Sequence, residues 1–380
     1  MLNIGNLVPA SYMKFGSTPA PVLKHIWVSI PGSNGYNYFI STDGINWYKK
    51  GSQSSSSHGS HNICFDSTRK EITTPQTSGS IYTYSITNDS ISTHTVNSTP
   101  WGSSPGSMGH IVYDNTRNYW CAVSIYGNST NGGTTATNTS TYLTSGGGRT
   151  LKKLQSDKAK YTICTSPSGR TFVYPLCTTG YCYLLAAGAN FRNGTFTNKW
   201  SNMNTALTNA GVSNKAILGA SYFPDKGFVF IVQGGVAIYD DINDTWTANS
   251  VSWGSLSVTA DQYSSSYYFN QTFYEPVRKR MYVAHCMNSG YMRVYYSDNG
   301  TSWSLLGSQS NTNMPTAGNY NYPKSIAADE NYVIVRSYTT NYSLYKYSNN
   351  TWTKDSGLSF KNGETGFYGQ SPIYCFYYTE

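Results

Sequence analysis

The sequence predicts an all-β fold: a seven-bladed β-propeller of four-stranded blades, closed by the C-terminal strand completing the first blade. Three observations predict it. The composition suits short strands and tight turns, two kinds of polar turn recur about every 45–55 residues, and the chain ends in an aromatic strand that has no partner of its own.

The composition favours strands over helices. The chain has 35 tyrosines and 35 glycines, and many Ser, Thr and Asn residues, whereas only five of its 380 residues are glutamates. Tyr and Thr suit half-exposed strands, Gly and Asn suit turns, and long helices need more Glu, Ala and Leu. We therefore expect many short strands joined by many turns.

The first recurring turn ends in tryptophan. Two heptads have the same form, "STDGINW" at 41–47 and "SDNGTSW" at 297–303, and looser versions end at Trp200, Trp246 and Trp352. The last four of these five turn tryptophans are separated by 46, 57 and 49 residues. The longer gap after Trp47 leaves room for two units without the Trp, which we place at 83–96 and 142–154.

The second recurring turn places an aromatic residue, an acidic or proline turn and a basic residue before a new strand. It occurs at 64–72, 112–120, 222–230 and 273–283, and more loosely at 164–174 and 326–335. We assign it to the connection between the first and second strands of a unit, and the Trp turn to the connection between the third and fourth. Both turns together give seven units, which bury their sheet faces by packing around an axis.

The ring needs a closing strand. The first unit has only three strand-like runs, at 25–30, 36–40 and 47–50, and the aromatic run "SPIYCFYYTE" at 371–380 is left over. We expect this run to be the innermost strand of the first blade, so that a chain ending at Gln370 would have an open ring. The domain organisation is then an N-terminal arm, 1–24, and a propeller, 25–380.

Charge and cysteine content exclude several kinds of site. The net charge is +8, but basic residues are scattered, with denser groups only at 151–160 and 278–280. A nucleic-acid partner would favour a basic stripe, so we interpret both groups as solvated turns. The seven cysteines form no CxxC pair and the six histidines show no ligand spacing. We expect the cysteines to be buried thiols of a protein that is made in a reducing compartment, and we expect neither a bound metal nor a cofactor.

The N-terminal residues also lack the features of an export signal. No basic segment precedes an unbroken apolar run, and the most apolar stretches are too short or too interrupted to span a bilayer. We expect synthesis in the cytoplasm without a signal peptide, and no insertion into a membrane.

The two heptads resemble the Asp-box of sialidase-like propellers, although each is one residue shorter than the usual box. The matching residues are Ser41, Asp43, Gly44 and Trp47, and Ser297, Asp298, Gly300 and Trp303. The resemblance implies a hairpin between the third and fourth strands, in which the Asp caps the turn, the Gly takes a positive φ and the Trp packs between blades. These residues are therefore expected to be structural.

The catalytic residues of that family are not evident. The family uses three arginines, a Tyr–Glu pair, an acid/base Asp and an Arg-Ile-Pro stretch in the first blade, whereas here the first arginine is Arg69 and no Arg-Ile-Pro occurs. A paired-carboxylate site, a nucleophile elbow and a phosphate loop are not apparent either. We expect no enzymatic activity and name no catalytic residue.

Binding is easier to support. The loops between blades, at 51–62, 101–110, 249–256 and 309–324, are rich in Tyr, Trp, Asn, Ser and Gly. Aromatic faces beside amides and hydroxyls suit sugar rings, and the same composition serves protein recognition. The candidate residues for binding a carbohydrate or receptor are His58, Trp101, Trp253, Tyr320 and Tyr322.

The N-terminal arm suggests a setting. The stretch around "YMKFGSTPAPVLK" resembles a short motif of tailed-bacteriophage tail proteins. The resemblance implies a virion tail or fibre component, attached to other tail proteins through residues 1–24, whose propeller binds a host-surface glycan or receptor. The alternatives are a propeller glycosidase or lyase acting on such a glycan, and a structural adaptor within the tail.

Overall fold

A computed structural model describes most strands and turns of the chain. The described residues are 22–29, 38–50, 63–67, 69–75, 80–95, 108–114, 119–124, 137–139, 141–143, 152–155, 161–175, 179–186, 196–254, 272–287, 292–307, 322–338, 344–355, 359–360 and 373–379. All structural statements below concern these residues.

The fold is an all-β propeller with six blades of four or more strands. Blade A contains β1 (Leu23–Ser29), β2 (Tyr38–Ser41), β3 (Asn46–Lys50), β29 (Ser359–Phe360) and β30 (Ile373–Thr379). Blade B contains β4 (Cys64–Asp66), β5 (Glu71–Pro75), β6 (Ser80–Ser85) and β7 (Ser90–Thr95). Blade C contains β13 (Tyr161–Thr165), β14 (Thr171–Pro175), β15 (Tyr183–Leu185) and β16 (Phe196–Asn198).

The other three blades have the same strand order. Blade D contains β17 (Ile217–Phe223), β18 (Gly227–Val232), β19 (Gly235–Asp240) and β20 (Thr245–Ser250). Blade E contains β21 (Thr272–Glu275), β22 (Arg280–Cys286), β23 (Met292–Ser297) and β24 (Ser304–Leu305). Blade F contains β25 (Tyr322–Ala328), β26 (Val333–Tyr338), β27 (Leu344–Ser348) and β28 (Thr351–Asp355). All neighbours within blades B to F are antiparallel.

The prediction of seven four-stranded blades is wrong, because the unit between blades B and C is not a four-stranded blade. Its strands are β8 (Met108–Asp114), β9 (Tyr119–Ser124), β10 (Thr137–Thr139), β11 (Thr141–Leu143) and β12 (Lys152–Gln155). Strand β9 pairs with β8 on one side and with β11 on the other in a three-stranded sheet, whereas β12 pairs with β10 in a separate two-stranded sheet. The hairpin predicted at 142–154 therefore does not pair its own two strands.

The ring is built by the first strands of successive units. Strand β8 contacts β4 and β13, and contacts continue from β13 to β17, β21, β25 and finally β30. Phe65 of blade B stacks on Phe376 of β30 with ring centroids 5.4 Å apart. The three-stranded sheet thus lies between blades B and C, and blades A and B meet across the closing strand.

The C-terminal strand occupies the position that the sequence assigned to it. Strand β30 pairs antiparallel with β1 over seven residue pairs, from Leu23 with Thr379 to Ser29 with Ile373. Because β1 begins at Leu23, the last two residues of the predicted arm belong to blade A; residues 1–21 lie outside the described residues. Blade A also gains β29, which runs parallel to β3.

Aromatic side chains hold neighbouring blades together. Phe172 of blade C is fully buried and makes edge-to-face contacts with Phe228, Phe230 and Tyr239 of blade D, at centroid distances of 4.9–5.1 Å. All six residues of β18 are buried. Such pairs are favourable beyond the area that they bury, so a chain poor in leucine still has a packed interface between blades.

A helix that the sequence analysis did not predict lies between blades C and D. Helix α1 (Trp200–Asn209) buries Met203 and Leu207 and contacts β19 and β20. Trp200 therefore begins a helix instead of closing a hairpin turn. No helix in the described part of the chain is long and apolar enough to cross a membrane.

Candidate functional site

The propeller has two chemically different faces. In every four-stranded blade the turns between strands one and two and between strands three and four lie at the same end; we call this end the turn face. The connections between strands two and three and between blades lie at the other end, the loop face. Of the predicted ligand loops, 51–62 and most of 101–110 and 309–324 lie outside the described residues, whereas 251–254 follows β20 at the loop face. The recurring turns form the turn face.

The first heptad is a hydrogen-bonded turn. Oδ1 of Asp43 accepts from the backbone N–H groups of Ile45 at 2.9 Å and Asn46 at 2.7 Å, and Gly44 has φ +67°. Burial opposes ionisation of Asp43, but these hydrogen bonds lower its pKa to about 2. Trp47 is buried and packs with Ala327 and other residues of blade F. Asp43 therefore stabilises a turn.

The second heptad makes the same turn with a different residue. Oδ1 of Asn299 accepts from the N–H groups of Thr301 at 2.9 Å and Ser302 at 2.8 Å, and Gly300 has φ +75°. Asp298, which the sequence analysis placed in the structural set, instead pairs through both oxygens with the Arg280 guanidinium. Position three of the heptad, whether Asp or Asn, is the one that caps the turn.

Buried acidic residues cap the turns between the first and second strands. Glu275 accepts from the N–H groups of Val277 and Arg278 at 2.6 and 2.8 Å, and Asp329 accepts from those of Asn331 and Tyr332 at 2.7 and 2.6 Å. Both acidic residues are fully buried. A buried carboxylate costs stability unless it is hydrogen-bonded, and here the turns supply the donors.

The same two carboxylates hold the strands that close the ring. Tyr377 of β30 donates to Oε1 of Glu275 at 3.1 Å and to the carbonyl of Ala328 at 3.2 Å. Trp27 of β1 donates from Nε1 to Oδ2 of Asp329 at 2.9 Å. We call the set Trp27, His25, Glu275, Asp329 and Tyr377 the closing cluster. It joins blades A, E and F at the turn face.

His25 gives the closing cluster a titratable member. Its Nε2 lies 3.3 Å from Oδ2 of Asp329, an ion-pair contact without good hydrogen-bond alignment, and its Nδ1 lies 3.5 Å from Glu330. The contact with Asp329 raises the pKa of His25, against the effect of burial. Burial would raise the pKa of Asp329, but His25, Trp27 and two backbone donors lower it.

The closing cluster contains a Tyr–Glu pair, Tyr377 and Glu275, but the surroundings of the pair indicate a structural role. Burial, together with Cys375 and Glu275, raises the pKa of Tyr377. A nucleophilic phenolate needs the opposite shift. Glu275 already accepts two backbone hydrogen bonds and one from the tyrosine. The geometry therefore favours a structural link between blades over an active site.

The loop-face candidates are only partly visible. His58, Trp101 and Tyr320 lie outside the described residues, and Tyr322 begins β25. Trp253 is described and is not available for stacking on a ligand. It is 1% exposed and donates from Nε1 to the carbonyl of Val232 at 2.9 Å.

The surroundings of Trp253 are a core. It packs against His285 and Trp303, with centroid distances of 4.8 and 5.4 Å. Burial lowers the pKa of His285 to about 3, so this imidazole is neutral at ordinary pH. Trp253 therefore fills the space between blades D and E.

The structure adds a cleft that the sequence analysis missed. It lies at the turn face between blades E and F and has a volume of about 360 Å³. That is within the usual range for a small-ligand site. Its lining residues are Arg278, Arg280, Tyr296, Leu305, Leu306, Gly307, Asn331, Val333, Tyr347, Ser348, Asn349 and Asn350.

The lining of this cleft is rich in hydrogen-bond donors, and none of the described residues that line it is acidic. Arg280 lies over the Tyr296 ring, 4.2 Å from its centroid, and Asp298 holds it from outside the cleft. Tyr347 donates to the Oδ1 atom of Asn350 at 3.2 Å, which leaves the Asn350 amide N–H groups for another acceptor. The cleft thus combines guanidinium, amide and aromatic groups.

One sequence signal pointed to this cleft. The basic group at 278–280 was interpreted as a solvated turn, and two of its three side chains line the cleft. Four more lining residues lie in or directly after the outer strands of blade E, and the remaining six come from the next blade, 50 or more positions further along the chain. Sequence spacing alone does not bring them together.

The other potentially reactive groups are either distant or inert. In the ranges that the structure describes, no group of His, Cys, Asp and Glu could hold a metal ion. Cys64, Cys164, Cys182 and Cys375 are free thiols buried in the core, and burial raises their pKa. A thiol of this kind is unreactive.

Comparison with known proteins finds structural similarity at low sequence identity. No family model matches the chain, and no curated protein matches it. A crystal structure of the Cps50 (Swd1) β-propeller domain from Myceliophteria thermophila has a TM-score of 0.49 and 10% identity, covering 84% of this chain and 96% of that one. Dihydro-heme d1 dehydrogenase NirN, in complex with DHE, has a TM-score of 0.46 and 10% identity, covering 92% and 77%. Neither similarity bears on the function of this chain.

Proposed function

We propose that the chain is a non-catalytic component of a bacteriophage tail or tail fibre, and that its propeller binds a host-surface glycan or receptor. The proposal that the chain is non-catalytic rests on the hydrogen bonds that its buried carboxylates already make. Glu275 and Asp329 are bonded to the backbone of turns and to the closing strands. They are not free to act as an acid and a base.

Binding is supported by the cleft between blades E and F. Its described lining offers aromatic rings, amides and guanidinium groups, and none of these residues carries a carboxylate that could act on a glycosidic bond. Glycosidases of the usual kind need two carboxyl groups facing the bond. A lining of donors and rings is suited to holding a sugar.

The virion setting is supported by the sequence alone. The N-terminal stretch resembles a motif of tailed-phage tail proteins, and Val22 and Lys24 of that motif are the part that the structure describes. Val22 is 65% exposed where the chain enters blade A. An attachment arm before this point leaves the propeller free to face the host.

The test combines binding with product release. Purified protein is incubated with polysaccharides from the envelope of the bacterium that the phage infects, and both bound polysaccharide and newly formed reducing ends are measured. Binding without new reducing ends supports the proposal. Release of reducing ends would show an enzyme, and incorporation into purified particles without binding to polysaccharide or cells would show an adaptor; either result overturns it.

A further inference from the structure

We infer that the cleft between blades E and F binds a negatively charged sugar, one whose ring carries a carboxylate or phosphate group. This inference rests on the proposed glycan binding and specifies its ligand class and its place on the turn face. The inference rests on a cation that has no acidic partner among the described lining residues, on the hydrogen-bond donors around it and on the aromatic wall.

Arg278 is the cation that meets the anion. It lies in the turn between β21 and β22, and its backbone N–H is fixed by Glu275. Its Nη1 donates to the Tyr282 hydroxyl at 3.3 Å. A guanidinium has five N–H donors, so within the described chain the rest of the fork is available. Carboxylate and phosphate oxygens match such a fork in pairs.

Arg280 has a different role from its neighbour. Its bidentate pairing with Asp298 neutralises its charge, and its position over Tyr296 fixes the plane of the guanidinium. The contact with Asp298 also raises the pKa of Arg280. Arg280 and Tyr296 therefore form a rigid wall, and the uncompensated charge of the cleft belongs to Arg278.

The opposite wall comes from blade F and is also preorganised. Asn349 and Asn350 both have positive φ, +48° and +60°, as a two-residue type I′ hairpin turn requires. The hydroxyl of Tyr347 holds Asn350 at 3.2 Å. Amide groups fixed in this way can donate to sugar hydroxyls, while the rings of Tyr296 and Tyr347 offer apolar faces.

The chain provides a matched control for Arg278. Arg69 occupies the same place in the first turn of blade B, with its backbone N–H bonded to Asp66 at 3.0 Å, three residues before it. In blade E the corresponding pair is Arg278 and Glu275, at 2.8 Å. Arg69 does not line the cleft. The two substitutions Arg278→Gln and Arg69→Gln therefore remove the same charge from equivalent turns, and Arg69→Gln also removes an ion pair of 3.6 Å between Nε of Arg69 and Oδ2 of the buried Asp66.

The experiment measures equilibrium binding of four probes to the full chain. They are an oligosaccharide ending in a hexuronic acid, the same oligosaccharide ending in the neutral hexose, a sugar phosphate and inorganic phosphate. We expect the uronic acid or the sugar phosphate to bind more tightly than the neutral probe. Arg278→Gln should weaken that binding roughly tenfold to hundredfold, the range for a lost hydrogen bond to a charged group. Arg69→Gln should not change it.

The outcomes separate the ligand class from the function. Preference for the uronic acid, the sugar phosphate or both, lost in Arg278→Gln, supports the inference, and the preferred probe identifies the anion. Equal binding of charged and neutral sugars, unchanged in Arg278→Gln, overturns the inference and leaves glycan binding in place. Binding of inorganic phosphate alone shows an anion site without sugar recognition and overturns the inference, whereas the polysaccharide and cell-binding assay decides the proposed function. If Arg278→Gln loses its fold, Arg278→Lys and the probe comparison on the unaltered chain decide.

Discussion

Replacing Tyr377 with phenylalanine tests how the ring is closed. The substitution removes one oxygen atom from β30 and keeps the aromatic ring. The lost hydroxyl donates to Oε1 of Glu275 at 3.1 Å and lies 3.2 Å from the carbonyl of Ala328. It therefore ties the closing strand to blade E through the carboxylate and to blade F through the carbonyl.

The expected cost follows from the acceptor. A hydrogen bond to a charged group contributes about 1.5–3 kcal/mol, and leaving a buried acceptor without its donor is costly. Glu275 is fully buried but keeps two backbone donors, from Val277 and Arg278. We therefore expect a loss of about 2 kcal/mol in the free energy of opening β30. That corresponds to an increase of about thirtyfold in the open population.

Native-state hydrogen exchange of β30 is the suitable measurement, because it reports local opening separately from global unfolding. Peptides covering 373–379 should exchange about thirtyfold faster in Tyr377→Phe. The matched control is Tyr378→Phe on the same strand, whose hydroxyl takes no part in the closing cluster. If both variants exchange alike, or if Tyr377→Phe leaves exchange unchanged, the hydrogen bond from Tyr377 to Glu275 does not keep the ring closed.

Three further predictions concern the turns and the titration of the closing cluster. Asp43→Ala should lower the free energy of unfolding by about 1–2 kcal/mol. Asp43→Asn should lower it by less, because Asn299 makes the equivalent hydrogen bonds in the second heptad. Urea unfolding measures both variants, and an equal loss would contradict the capping role. Gly227→Ala should lower the free energy of unfolding by about 3 kcal/mol or more, because at φ +92° the added Cβ would overlap the backbone carbonyl of Tyr239. Gly180 has a similar φ of +97°, but a Cβ there would meet no atom within 4 Å, so Gly180→Ala should lower it by only about 1 kcal/mol. Equal losses in thermal melts would be evidence against this contact. Because the pKa of His25 is raised in the folded chain, protonated His25 adds stability that is complete below pH 6.5 and is lost as the pH rises through the raised pKa. His25→Gln should therefore reduce the change of melting temperature with pH across this window. An unchanged pH profile would rule out this contribution.

The turns could be predicted from sequence because their determinants are local. Asp43 and Gly44 sit next to the backbone groups that they serve, and the acidic residues before the second strands do the same. The closing strand was also predictable, since a seven-residue aromatic strand at the chain end needs a partner.

The blade count was wrong for a non-local reason. The strands at 137–155 are short and rich in polar residues, and such strands specify their partners weakly. The helix at 200–209 is formed by Ser, Asn and Thr with few strong helix formers, so its burial of Met203 and Leu207 stabilises it more than its propensity does. Both features depend on packing that the local sequence does not encode.

The cleft was missed because its two walls belong to different blades. Arg278 and Asn350 are 72 positions apart and meet only when blades E and F pack. The sequence showed a basic turn at 278–280, but that none of the described residues around it in the cleft is acidic is a property of the assembled ring. A search for polar turns from adjacent repeats would have brought these residues together.

Glu275 belongs to the closing cluster and is also bonded to the turn that supplies Arg278 to the cleft, and this allows a last prediction. Its Oε1 accepts from Tyr377, whereas its Oε2 accepts from the backbone of Arg278. Tyr377→Phe leaves the second bond and the turn around Arg278 intact. We therefore expect faster exchange of β30 with an affinity for the anionic sugar that is unchanged within about twofold, since separate contacts contribute additively. A large loss of affinity in this variant, measured with the same probes, would mean that ring closure positions the Arg278 turn and that the two features act as one.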